Sequence, residues 1–145
     1  MIRVMTVGDY PQVYALWRGT PGMGLREADD SQAGIERFLK RNPASCFVAE
    51  EDGNIIGVIL SGHDGRRGYI YHTAVAPAYR KRGIARKLVE KAMDALEKEG
   101  INKAALVVFE RNGSGNSFWE HLGFSVRNDL VYRNKVIREQ ARTDT

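Results

Sequence analysis

Apolar positions along the 145-residue chain switch several times between the alternation of strands and the three-and-four spacing of helices. Residues 2–7 alternate and predict a strand; Gly8 and Asp9 then open a helix with Pro11 in its first turn and Val13, Leu16 and Trp17 as its apolar stripe. Residues 19–30 contain three glycines and a proline with no sustained period, which predicts a loop. Asp30 or Ser31 caps a second helix that buries Ile35, Phe38 and Leu39 and stops at Asn42-Pro43, because proline disfavours helical geometry in the residue before it. Strands at 46–50 and 55–61 flank Asp52-Gly53, the pair a tight hairpin turn needs, and a third antiparallel strand follows at 69–75.

Ile84, Leu88, Val89, Ala92, Ala95 and Leu96 mark an amphipathic helix that Gly100 ends. Residues 104–109 are almost all apolar, the pattern of a strand buried on both faces. A short helix at 114–122, closed by Gly123, leads to a final hairpin of 124–126 and 130–135 around Asn128-Asp129, then a loose polar tail. The predicted order is β-α-α-β-β-β-α-β-α-β-β: an α/β chain with one mixed sheet, a single domain over 1–138 and a tail over 139–145.

Composition removes several classes of function. With 43% hydrophobic and 28% charged residues the chain can bury a core. No apolar run approaches the roughly 20 residues of a membrane helix, and no basic flank with an apolar run marks a secretion signal. Cys46 is the single cysteine, so no internal disulfide forms, and a reducing cytoplasm is the expected location. One cysteine and three scattered histidines predict no metal site.

Charge is the more informative quantity. The net +4 is concentrated in residues 80–91, where six cations face one anion for a local excess of +5, and the rest of the chain sums to −1. That distribution argues against a general nucleic-acid surface and for one compact anion. The segment joins a strand to a helix through Arg80, Lys81, Arg82 and Gly83. The first turn of a helix has N–H groups without intrahelical partners and the positive end of the helix dipole, which together bind phosphate. Gly83 lets the backbone approach an anion and Ala85 keeps the next turn low. In isolation, a solvated basic helix face explains the run equally well.

Arg80-Lys81-Arg82-Gly83-Ile84-Ala85, shortly after Val75, matches the Gln/Arg-x-x-Gly-x-Gly/Ala signature of acetyl-CoA binding, and residues 112–124 match a second element, Asn-x-x-Ala-x-x-x-Tyr-x-x-x-Gly-Phe. With both in order across a helix and a strand, the sequence resembles the GNAT N-acetyltransferase family over nearly its whole length. The resemblance implies a site for acetyl-CoA as cosubstrate, without metal. The pyrophosphate would lie on the amides of the Arg82 to Arg86 turn, the pantetheine arm would add along Ala74 and Val75, Asn112 would contact it and Trp119 would pack against it. Asn112 ending the strand by bonding its own turn is the equal alternative. The implied acceptor is an amine of a small molecule or protein, with no nucleic acid or membrane involved, in a monomer or homodimer.

Direct transfer from a thioester to an amine requires a neutral amine, donors for the developing oxyanion and a fate for the thiolate, and needs no protein nucleophile. Many relatives protonate the thiolate with a tyrosine where this chain has Trp119, whose indole N–H donates a hydrogen bond without being a useful acid. Candidates for moving the amine proton are Tyr69, Tyr71 and Glu110. Strand parity places both tyrosines on the face of Thr73 and Val75 and turns His72 away unless a bulge intervenes. The departures at Trp119 and at the base leave a catalytically weak acyl-CoA binding module as the alternative function.

Overall fold

Alternation and helical spacing build two layers of helix on one sheet. In the computed structural model, which describes residues 1–144, β1 (Ile2–Val4), β2 (Phe47–Glu51), β3 (Asn54–His63), β4 (Gly68–Val75) and β5 (Ala104–Ala105) lie in that spatial order. The first four strands are antiparallel neighbours, and β5 pairs parallel to β4. Asp52 and Gly53 both take positive φ, 52° and 79°, at the β2–β3 turn where the sequence places a tight hairpin.

Helices α1 (Tyr10–Arg18) and α2 (Gln32–Arg41) cover one face, packing Val13, Trp17, Ile35 and Leu39 on Val48, Val58, Leu60 and Ala74. Helix α3 (Ile84–Lys98) covers the other, with Leu88, Val89 and Ala92 on Ile56, Ile59, Ile70 and Val75. Each Val, Leu or Ile fully buried among these contributes roughly 1.5–3 kcal/mol of burial free energy. The short α4 (Gly113–His121) lies beside the α3 layer through Phe118, Trp119 and Leu122. Ser31 caps α2 by accepting from the Gly34 N–H at 3.0 Å. Cys46 is buried, which pushes its thiol up to about 12. No helix among the described residues is long and apolar enough to cross a membrane, and they contain no group of three or more His, Cys, Asp or Glu placed to hold a metal ion.

The last third departs from the expected order. Strand β5 pairs through two residues only, Gly68 with Ala104 and Tyr69 with Ala105, and sits at the sheet edge instead of being buried on both faces. Val107 and Phe109 are exposed. The final hairpin does not form: residues 124–135 contain no strand, and Val126, Leu130, Val131 and Tyr132 are exposed. A hairpin needs a ladder to build on, and once β5 leaves β4 after Ala105 none is offered. The tail is not loose either. Asp144 accepts from the Gly24 and Leu25 N–H groups at 2.9 and 2.8 Å, and Gln140 accepts from those of Ala28 and Asp29 at 3.1 and 3.0 Å.

Candidate active site

Two features frame a gap beside β4. Pairing between β4 and β5 ends at Tyr69 and Ala105, so residues 70–75 of β4 have an open edge about 20 Å long at strand rise. That edge runs through Ala76 and the single turn Pro77–Tyr79 into the start of α3. The first bond of α3 joins the Lys87 N–H to the Gly83 carbonyl at 3.1 Å, and no side chain caps the helix. The amides of Ile84, Ala85 and Arg86 are therefore directed out of the helix start. Gly83 has φ 79°, in the left-handed region that favours glycine, and the space where a Cβ would stand is open, with nothing within 4 Å. The residues fit an anionic ligand on their backbone, as the sequence pattern implies.

The cations around the cradle are partly engaged. Arg80 donates through Nε to the Val75 carbonyl at 3.1 Å, tying the strand end to the turn. Arg82 stacks on Tyr79 at 5.1 Å, and Lys81 has a positive φ of 63°. Asn112 caps α4: its Oδ1 accepts from the Gly115 N–H at 2.9 Å, as in the alternative reading of that residue. Trp119 is half-buried between Phe118 and Phe124, with ring centroids at 5.0 and 5.2 Å. Glu110 is exposed just beyond the point where the chain has left the sheet.

The other wall of the gap corrects the parity argument. Register between β3 and β4 shifts: Val58 pairs with Ala74 and Leu60 with Tyr71, so His72 and Thr73 both stand opposite the single residue Ile59. This bulge places Tyr71 on the α1/α2 face with Ala74, while Val75 faces α3. His72 is at φ 30°, a sparsely populated conformation for a residue with a Cβ. Three contacts hold it there. The Trp17 indole donates to the His72 carbonyl at 3.0 Å, its ring packs edge-on to the imidazole at 5.1 Å, and His72 Nε2 lies 2.8 Å from Asp30 Oδ1.

Asp30 is only 5% exposed and also accepts from the Arg26 N–H at 2.7 Å. Its place depends on Gly34, where a Cβ would fall 2.3 Å from the Ala28 carbonyl and 2.4 Å from that of Asp29, so only glycine lets α2 approach the loop this closely. In the sequence Asp30 stands only as a helix cap and Trp17 only in an apolar stripe, so neither is marked for the site. A bulge and a positive φ at histidine have no signature in composition or period.

Tyr69 and Tyr71 stand side by side with centroids 4.6 Å apart, and Phe38 of α2 meets Tyr71 at 5.7 Å and 87°. Burial, with Tyr132 and Tyr71 nearby, pushes the Tyr69 phenol up to about 12; burial, with Tyr132 and Asp29, raises that of Tyr71. Both shifts move these phenols further from proton exchange at neutral pH.

Comparison with known proteins agrees with this architecture. The family described as Acetyltransferase (GNAT) family matches residues 10–124. An acetyltransferase of Yersinia pestis (strain Pestoides F) is 32% identical over 139 residues, covering 96% of this chain and 97% of the relative. Among solved structures, Ard1 from Thermoplasma volcanium superposes with a TM-score of 0.78 at 20% identity, covering 88% of this chain and 83% of its own. The PaiA N-acetyltransferase from Thermoplasma acidophilum, solved in complex with coenzyme A, gives 0.76 at 20% identity, covering 88% and 90%. The chain belongs to the acetyltransferase (GNAT) family and is an N-acetyltransferase.

Proposed function

We propose that this enzyme transfers an acetyl group directly from acetyl-CoA to an amine, with the donor held along the open edge of β4 and on the helix start at Gly83. The observation that carries the reading is the continuity of that edge, residues 70–75, with the unpaired amides of Ile84, Ala85 and Arg86. A strand edge offers hydrogen bonds to the amides of a pantetheine arm, and the helix start offers N–H groups and dipole to the pyrophosphate. Ala74, Val75 and the Arg80-Lys81-Arg82-Gly83 turn are the donor contacts, with the free part of each cation steering. Asn112 and Trp119 bound the α4 side.

The amine nitrogen attacks the thioester carbonyl; a C–N bond forms, the C–S bond breaks, the nitrogen gives up its proton and the thiolate gains one. A backbone N–H of the open edge near Thr73 donates to the oxyanion, where a preorganised donor is worth most. We assign the amine proton to His72. Imidazole is the side chain that exchanges protons near neutral pH, and the Asp30 carboxylate beside Nε2 keeps the proton on that nitrogen, leaving Nδ1 to accept. This assignment is favoured over Tyr69 and Tyr71, whose phenols are raised, and over the exposed Glu110. The thiolate is protonated from water, because Trp119 supplies no acid.

The test is free-thiol release from acetyl-CoA across a panel of primary amines and peptides. Turnover on an amine with the acetyl group found on nitrogen supports the reading. Tight CoA binding with no turnover on any acceptor would favour the alternative of an acyl-CoA binding module, the reading suggested by Trp119.

A further inference from the structure

Residues 140–144 lie outside the sheet and its helices, yet they hold the loop that carries Asp30. Arg26 and Arg142 pair as an antiparallel bridge, and hydrogen bonds run between the two segments on both sides of it. The Asp144 carboxylate accepts from the Gly24 N–H through Oδ2 at 2.9 Å and from the Leu25 N–H through Oδ1 at 2.8 Å. The Ala141 carbonyl accepts from the Glu27 N–H at 2.9 Å, and Gln140 Oε1 accepts from Ala28 and Asp29 at 3.1 and 3.0 Å. In the other direction the Thr143 N–H donates to the Leu25 carbonyl at 3.0 Å, and Gln140 Nε2 donates to Asp29 Oδ2 at 2.7 Å. Arg18 of α1 anchors the segment by donating to the Thr143 carbonyl at 2.9 Å.

Between Gly24 and Asp29 the one amide that this segment does not engage is that of Arg26, and it donates to Asp30 Oδ2 at 2.7 Å. The other carboxylate oxygen, Oδ1, is the one 2.8 Å from His72 Nε2. One oxygen of Asp30 is therefore fixed by a loop amide and the other is presented to the imidazole. Apart from the bridge at Arg26, residues 24–30 belong to no helix or strand, so their N–H groups have no ladder of their own. A segment whose amides lose their partners opens readily, and the Arg26 amide would move with it.

We propose that Asp144 and Gln140 are positioning residues for the acceptor side: by engaging the loop amides on both sides of Arg26, they hold Asp30 Oδ1 against His72 Nε2. This rests on the proton assignment to His72 made above and adds the element that keeps its carboxylate partner in place. A carboxylate offers one acceptor oxygen to each of two successive N–H groups, whereas an asparagine of the same shape offers one oxygen and turns an NH₂ toward the second donor. Asp144→Asn thus removes bonding while keeping size.

The experiment follows the His72 Nε2–H proton by NMR in the full chain labelled with nitrogen-15, for the wild type, Asp144→Asn and the double variant Asp144→Ala/Gln140→Ala. Rates are measured for the same proteins and for His72→Asn, with the acceptor of the panel above that gives the highest wild-type rate. The wild-type resonance is expected to exchange slowly with water, to broaden in Asp144→Asn and to vanish in the double variant. In parallel kcat should fall about threefold and about tenfold, as for a misplaced catalytic group, with KM for acetyl-CoA unchanged. Thermal melting identifies a variant that is unfolded at the assay temperature; should the double variant be one, Asp144→Asn decides by the same readings.

A resonance unchanged by the substitutions, or missing from the wild type, overturns the proposal. So does a kcat that holds in the double variant while falling in His72→Asn, or a loss of kcat matched by a rise in KM for acetyl-CoA. A resonance lost in the double variant, with kcat indifferent both to that variant and to His72→Asn, supports the hold on Asp30 and overturns the proton assignment instead.

Discussion

At the start of α3 the groups offered to a ligand are backbone N–H groups at Ile84, Ala85 and Arg86, whereas the α1/α2 face of β4 presents side chains, His72, Tyr71 and Tyr69, with Asp30 beside His72 Nε2. The donor end needs only a glycine-relieved turn to keep its geometry, and many side chains would serve around it. The acceptor end depends on a strained histidine, a buried carboxylate and a close glycine contact, each set by a different element. In the proposed function, a cosubstrate common to many enzymes meets the part built from backbone, and the part that must choose an amine is built from side chains.

Damage at each end should therefore appear in a different constant. The largest effect is expected from His72→Asn, with kcat falling about a hundredfold, as for loss of a general base. An undiminished kcat would return the proton to another group. Next is Gly83→Val, which forces a branched side chain onto φ 79° and so distorts the helix start. KM for acetyl-CoA should rise about thirtyfold while KM for the amine holds, since a misplaced helix start loses several backbone contacts to the anion at once.

The difference between the two ends also explains what could be read in advance. Periodicity placed α3 and the residues of its buried face, Leu88, Val89, Ala92 and Leu96, because an amphipathic helix repeats its cause every turn. The turn at Gly83 was equally visible, since a glycine and a basic run before a helix state their chemistry locally. The acceptor wall was hidden behind one assumption, that β4 is regular. A bulge at His72 reverses the faces of Tyr71 and Val75 relative to each other, and it is held by Trp17 and Asp30, 55 and 42 residues away. The expected hairpin failed for a related reason. Residues 124–135 have the composition of strands, but strands require a neighbour, and β5 diverges from β4 after two pairs.

Smaller effects sharpen the comparison. Gly34→Ala should cost about 1–3 kcal/mol of stability, as overpacking does, and raise KM for the amine without changing that for acetyl-CoA, because the clash falls on the Ala28 and Asp29 carbonyls. Thermal melting and the two KM values check it; a change confined to acetyl-CoA would contradict it. Replacing Arg80 and Arg82 by glutamate should weaken CoA binding about tenfold at low salt and less at high salt, as steering charges do; an unchanged affinity would show these cations to be only solvated. The smallest expected signal is spectroscopic. The Tyr69 phenol, raised to about 12, stays protonated in the folded state where an ordinary tyrosine ionises near 10. Its contribution to stability is present below pH 10 and is lost as pH rises toward 12, so phenolate absorbance should show a late-titrating component that is smaller in Tyr69→Phe.

The central claim, that the donor is gripped by backbone at the start of α3 and along the open edge of β4, is tested most directly by titrating CoA into isotopically labelled protein and following backbone amide shifts and hydrogen exchange. The account predicts the largest shifts and new protection at Ile84, Ala85 and Arg86, with a second set in residues 70–75. Saturable CoA binding that leaves those amides unchanged would contradict it.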